Sequence, residues 1–248
     1  MRPLVRVRRA TPFDPGFLAR SPLLWPLEQA ARRLGPLDGF PSHEALRQVF
    51  EGQPPVRFVP AAPRGRRRGS VDAAALYDGR ITLERRVPTR VGCWHDLMNA
   101  LVWGTFPRAK RALHARQHRA IAARIAPGAR TLPPARTREL DALALLDEGG
   151  VIVLGGDGAM LVFGHAIYES LALGVAPAIV AAIVVGTNTA RGDADRLAHA
   201  DGALASVLED ETRLTTPAEL KRVDLTSTPP RAWATDAPPD ESVRPMAP

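Results

Sequence analysis

The sequence predicts an α+β protein in which N-terminal helices pack with a small mixed β-sheet containing a hairpin near 140–154. Three observations lead there. Apolar residues recur at helical spacing through 94–105 and again through about 108–125, with Pro107 between the two segments. Short apolar runs bounded by glycine or proline follow at 151–154, 160–163 and 179–185, lengths that suit strands. A chain of 248 residues buries about three-quarters of its unfolded surface as one domain, 1–248, leaving 226–248 as an irregular proline-rich tail.

The elements follow in order. Residues 1–41 are rich in proline and carry the apolar anchors Phe13, Phe17, Leu23, Leu24 and Trp25. A short helix is expected over Pro26–Leu34, ended by Gly35-Pro36, and Ser42 caps a second over His43–Phe50. Val56–Val59 reads as a strand and Arg64–Gly69 as an exposed arginine loop. Through 72–90 the pattern suggests a helical piece to Tyr77, a turn at Asp78-Gly79, and an extended segment through Ile81 and Leu83. A helix from Trp94 stops before Pro107, which is well placed to begin the next. On that next helix Leu113, Ala120, Ile121 and Ile125 share one side, and Arg108, Arg111, Arg116 and Arg119 the other. Lys110 falls with the buried side, where it either points back at the preceding helix or snorkels past its apolar neighbours. After a linker at 127–134, Leu140–Leu146, the Asp147–Gly150 turn and Val151–Leu154 form the expected hairpin. The glycines at 155–158 match neither a P-loop nor a dinucleotide fingerprint. Met160–Phe163 is a strand, His165–Leu173 a helix, Ile179–Val185 a buried strand, and Asp193–Leu208 an amphipathic helix.

Composition narrows the function classes. Cys93 is the single cysteine, which excludes an internal disulfide and a cysteine-rich zinc site and suits a reducing compartment. The start lacks a signal-peptide pattern, so a cytoplasmic location is expected. The uncharged stretch from Ser170 to Ala190 is broken by Gly174 and Pro177 and falls short of the ~20 residues a spanning helix needs. No membrane partner is expected. The net charge of +7 invites an anionic partner, but Lys110 and Lys221 are the only lysines among 33 basic residues, a bias that composition alone explains. Distribution says more: no acid lies between Asp96 and Glu139, while nine basic residues do.

The segment W-H-D-L-M-N-A-L-V-W-G-T-F-P-R-A-K, Trp94 to Lys110, concentrates the chemistry. As a helix it aligns Trp94, Leu97, Met98, Leu101 and Val102 on one arc and His95, Asp96, Asn99 and Trp103 on the next. Ala100 and Gly104 share a third side, where another backbone could come close. Further on, His165 and Glu169 stand one turn apart on their own helix. Two helices thus each offer a histidine with an oxygen-bearing partner. The ordinary role of such a pair is a satisfied polar network in the core.

At this segment the chain resembles a bacterial family catalogued as a domain of unknown function, number 3025. V-P-T-R (Val87–Arg90), D-E-G-G (Asp147–Gly150), F-G-H-A-I-Y-E (Phe163–Glu169) and V-R-P (Val243–Pro245) support the resemblance. The chain departs from the pattern at Leu113-His114, where the family has L-N, and in a short connection at 155–159. The resemblance implies a single-domain bacterial protein and brings no activity or cofactor with it.

Two functions are therefore expected, from different classes. The first is a hydrolase-like pocket for a small anionic molecule, with His95, Asp96, Asn99, Lys110, His165 and Glu169 as its catalytic residues. Either a divalent metal such as zinc, manganese or iron would sit on His95, His165 and Glu169, or, without metal, one histidine would act as general base, held in its tautomer by Asp96 or Glu169. Arg90, Trp103 and Arg108 would contact substrate, although core packing is the commoner role for a tryptophan so placed. The second is a binding module for nucleic acid or another anionic partner through Arg64–Arg68 and the basic block from Arg108 to Arg138. Convergence of His95, Asn99, His165 and Glu169 in a cleft is what the enzyme reading requires. Side chains lying far apart exclude it, and convergence without a cleft leaves only a structural network; oligomeric state is not legible.

Overall fold

A computed structural model describes residues 11–62, 70–155, 159–175, 179–187 and 192–225. The Arg64–Gly69 loop, Gly156–Gly158, and the tail from Thr226 with Trp233 and Val243–Pro245 lie outside the described residues. Within them, the N-terminal stretch folds as single 3-10 turns leading into helix α1 (Glu28–Arg33), with a further 3-10 turn at Ala45–Val49. Strand β1 (Arg57–Pro60) pairs in parallel with β2 (Arg86–Thr89), and helix α2 (Tyr77–Glu84) lies between them in sequence. Helices α3 (Trp94–Thr105) and α4 (Pro107–Ala122) form the centre. Then come α5 (Arg138–Gly149), β3 (Gly150–Gly155), β4 (Met160–Val162), α6 (His165–Ala172), β5 (Ile179–Thr187), α7 (Asp193–Glu209) and β6 (Lys221–Asp224). The second sheet runs β4-β3-β5-β6, parallel only between β3 and β5. The α+β expectation holds.

The expected hairpin at 140–154 does not form. Residues 138–149 are helical: Thr137 Oγ1 accepts from the Leu140 amide at 3.1 Å as an N-cap, and Leu140, Leu143 and Leu146 bury one stripe. The hairpin that exists is β3 with β4. The Asp78-Gly79 turn is also overturned, because both residues lie inside α2. Glycine is needed there for closeness rather than for turning: a Cβ at Gly79 would stand 2.2 Å from the Ala73 carbonyl oxygen. Strand β6, K-R-V-D, gave no apolar signal because it is a charged edge strand.

Helix α3 is buried almost all round, from Leu97 to Trp103. Its N-terminal end sits in an aromatic nest in which Phe13 stacks on Trp94 at 5.4 Å, with Phe17 and Phe40 edge-on. Its small side lets another segment approach, since a Cβ at Gly104 would lie 2.6 Å from the Val49 carbonyl oxygen. Helix α4 departs from its expected wheel at one position. Arg116 is 1% exposed, grouped by sequence with the solvent-facing arginines but drawn inward by acceptors described below.

Helix α7 supplies the cap of α4. Asp201 accepts from the amides of Arg108 at 3.1 Å and Ala109 at 2.8 Å, two donors the helix cannot satisfy itself. Burial outweighs these bonds and raises the Asp201 pKa from 3.8 to about 6. A folded value above the unfolded one means stability is gained as pH falls from 7 through the folded value toward 4, and lost again as it rises. The gain should amount to roughly 2 kcal/mol and be missing from Asp201→Asn. Urea titrations at pH 7 and pH 5 giving the same pH slope for both proteins would refute it.

Candidate functional site

Four helices bring polar side chains together. Helix α3 contributes His95, Asp96 and Asn99; α4 contributes Lys110; the last turn of α5 contributes Asp147 and Glu148; the first turns of α6 contribute His165 and Glu169. The chain is pinned where α5 and α6 meet. The amides of Phe163 and Gly164 both donate to the Gly150 carbonyl, at 3.0 and 2.9 Å. A Cβ at Gly164 would lie 2.5 Å from both the Glu148 carbonyl oxygen and the Gly150 nitrogen. Only glycine allows that approach, which puts His165 beside Asp147 and Glu148.

The two histidines face each other, Nε2 to Nε2, at 3.0 Å. Glu169 Oε2 accepts from His95 Nδ1 at 3.0 Å, which in the neutral imidazole leaves Nε2 as an acceptor facing His165 Nε2. Glu148 Oε2 lies 3.5 Å from His165 Nε2. His95, Glu148 and His165 each offer a ligand atom within 4.8 Å of the other two. Side-chain exposures of 31% for His95 and 47% for Glu148 against 5% for His165 put the open side of the cluster at the surface.

Behind the histidines runs a buried brace. Lys110, fully buried, donates to Asp147 Oδ1 at 2.6 Å and to Asn99 Oδ1 at 2.8 Å. Asn99 Nδ2 in turn donates to the Tyr77 hydroxyl at 3.3 Å. Asp147 Oδ1 stands 3.7 Å from His165 Nδ1, a buried nitrogen without a hydrogen-bond partner. Beyond Lys110, His114 Nδ1 donates to Asp78 Oδ1 at 2.8 Å, and the His114 ring stacks on Trp103 at 5.5 Å.

The electrostatics follow from this layout. Burial drives His165 down to about 3, so it is a neutral imidazole at neutral pH. For His95, burial opposes the charge, but Glu169 and the carboxylates of Glu148 and Asp96 outweigh it and raise its pKa. Burial alone would raise the Asp147 carboxyl; the Lys110 ammonium instead holds it well below the carboxylate range. Burial pushes Glu148 up.

Of the residues expected from sequence, His95, His165, Glu169, Asn99 and Lys110 meet in one cluster. Glu169 does not reach the side where the two Nε2 atoms meet, as the metal expectation requires: it binds His95 on the opposite nitrogen. Asp96 turns away, held by Arg90 through the amide at 2.6 Å and the guanidinium at 3.0 and 2.7 Å. Trp103 is fully buried against His114 and cannot stack a ligand. Arg108 lines clefts against α7 that none of the cluster residues lines. Asp147, Glu148, Tyr77, Asp78 and His114 were missed. The D-E-G-G motif held the signal for two of them, obscured by its resemblance to a turn.

Fold and cluster together define an α+β protein with a surface-reachable histidine–carboxylate group braced by a buried lysine. Residues 65–161 match the model of a family described as a protein of unknown function, DUF3025, the family that the Trp94–Lys110 motif resembles. The matched span holds His95, Asn99, Lys110, Asp147 and Glu148; His165 and Glu169 follow it. No curated protein and no solved structure matches the chain. No helix among the described residues is long and apolar enough to cross a membrane.

Proposed function

We propose that the chain is a metal-assisted hydrolase whose divalent ion is held by His95, Glu148 and His165. The observation that carries this reading is the approach of the two Nε2 atoms to 3.0 Å with a carboxylate beside them. Two nitrogens on one tetrahedral zinc stand about 3.3 Å apart, given bond lengths near 2.05 Å. The orphaned nitrogen supports the fit. If His165 donates from Nε2 to His95, its Nδ1 carries a bare lone pair facing the Asp147 carboxylate. A cation between the Nε2 atoms lets the proton move to Nδ1, where Asp147 favours it.

Two imidazoles and one carboxylate form a mixed donor set that zinc accepts, and such an ion supplies hydroxide from bound water near neutral pH. Glu169 fixes the His95 tautomer and Asp147 orients His165, the outer carboxylates that metal-binding histidines ordinarily have. Lys110 holds Asp147 ionised and, being sealed from solvent, does not touch substrate. Arg90, at 58% side-chain exposure and within electrostatic reach of Glu169, is the cation placed to meet a small anionic substrate.

A second reading, a purely structural polar network, is favoured by one fact: neither of the two clefts described is lined by the histidines or Glu148. Metal content decides between them. Elemental analysis of protein purified without chelators should find stoichiometric metal that is lost in His165→Ala and in Glu148→Gln. Glu169→Gln should keep the ion but bind it roughly 10–100-fold more weakly. Protein that is metal-free and takes up no zinc at micromolar concentration would sink the proposal.

A further inference from the structure

The largest basic feature left unexplained lies on the other side of α4. A cleft of about 380 Å³ opens between α2, α4 and α7, and Arg85, Arg108, Arg111 and Arg119 all line it. Glu209 is the one carboxylate among its lining residues. Arg108 and Arg111 also line an adjoining cleft of about 570 Å³. We propose that the smaller cleft binds a phosphate-bearing small molecule, its phosphate gripped by Arg85, Arg108 and Arg111. This goes beyond the metal reading and stands independently of it.

Four observations carry the proposal. First, the arginines come from different elements, α4 and the end of α2, yet line one concavity; a solvated basic face spreads its charges over a convex surface. Second, Arg85, Arg108 and Arg111 have no carboxylate or carbonyl within bonding distance among the described residues, whereas Arg119 is held by Glu211 at 3.2 Å. Arg108 has Asp201 nearby, but both oxygens of that carboxylate are taken by the α4 amides. Third, the backbone is arranged to present these groups. Arg85 sits in the left-handed region at φ 55°, a conformation costly for a side chain larger than glycine, as the residue ending α2. Gly202 leaves room on α7 for the Arg108 guanidinium, which would lie 3.0 Å from a Cβ there. Fourth, four arginines line the cleft against the single carboxylate of Glu209, which leaves it an excess of positive charge.

Ala112, Ala115, Ala205 and Ile81 add apolar surface to the same lining. Apolar side chains beside arginines suit a ligand with an organic body and a phosphate end. The volume accommodates one such molecule, at the small end of ligand pockets. Arginine forks match phosphate oxygens in pairs, which gives affinity and orientation together.

The test is calorimetric titration of the full chain with inorganic pyrophosphate at low ionic strength. Wild-type protein should bind it, with affinity falling as salt is added. Arg108→Gln/Arg111→Gln should weaken binding by at least about tenfold, and Arg85→Gln by a smaller factor. Both arginines of the double variant are exposed, so its melting temperature should match wild type. His165→Ala separates this cleft from the metal proposal and should leave pyrophosphate binding unchanged. No binding by wild type, or binding lost in His165→Ala and kept in the arginine variants, would overturn the assignment. So would an oligonucleotide that binds through the same arginines without competition from pyrophosphate.

Discussion

Lys110→Met is expected to lower folding stability by about 3–5 kcal/mol, the cost of leaving a buried ion without its partner. Lys110 has no exposed surface, and its ammonium is the principal group holding Asp147 ionised against burial. Methionine replaces the stem but none of the three donors, so Asp147 must take up a proton or stay charged in a site 14% open to water. Asn99 loses an acceptor bond at the same time. Adding Asp147→Leu should recover much of the loss, because an apolar pair of similar volume avoids both desolvation penalties. Urea unfolding of wild type, both single variants and the double variant closes the cycle. A Lys110→Met protein within about 1 kcal/mol of wild type would show that the bond to Asp147 does not hold the brace together.

Arg116→Ala should cost about 3 kcal/mol, for a different reason. Its Nε donates to Glu139 Oε1 at 2.7 Å, tying α4 to α5. Its Nη atoms reach the carbonyls of Leu208 at 3.4 Å, Asp210 at 3.0 Å and Glu211 at 3.5 Å, the acceptors left over where α7 ends. Truncation strands those carbonyls and empties a packed volume. Lysine cannot restore the geometry, since three acceptors and a carboxylate require a planar fork, so Arg116→Lys should recover little. Equal stability of the lysine variant and wild type, measured by thermal unfolding, would mean that charge alone matters there.

Both residues show what the sequence could and could not reveal. Lys110 was legible because the signal is local: its place on the helical wheel beside apolar neighbours pointed it back at α3. Arg116 was not, because its partners lie on α5, 23 residues away, and at the end of α7, 92–95 residues away, and periodicity sees only the helix's own neighbours. His95, Asn99, His165 and Glu169 were legible as two histidine helices, and their convergence is the part the structure supplies. Asp147 and Glu148 were hidden by a competition of signals. L-D-A-L-A-L-L can alternate like a strand or stripe like a helix, and D-E-G-G following it tips the reading toward a turn. Thr137 and the run of strong helix formers argued the other way, and tertiary burial of Leu140, Leu143 and Leu146 settled it. With the helix extended to Gly149, the two acids become its last turn and point at His165.

The glycine contact at residue 164 has a mechanical consequence. Gly164, pressed on Glu148 and Gly150, locks the end of α5 and the start of α6 into one block that carries Asp147, Glu148, His165 and Glu169 together. His95 and Asn99 ride on a separate body, α3. The cluster is therefore a clasp with two jaws, joined by the imidazole contact, by the His95–Glu169 bond and by the bridge that Lys110 makes from Asn99 to Asp147. A slide of α3 over α6 has to strain all three links at once, so the gap between the imidazoles is set by the whole clasp.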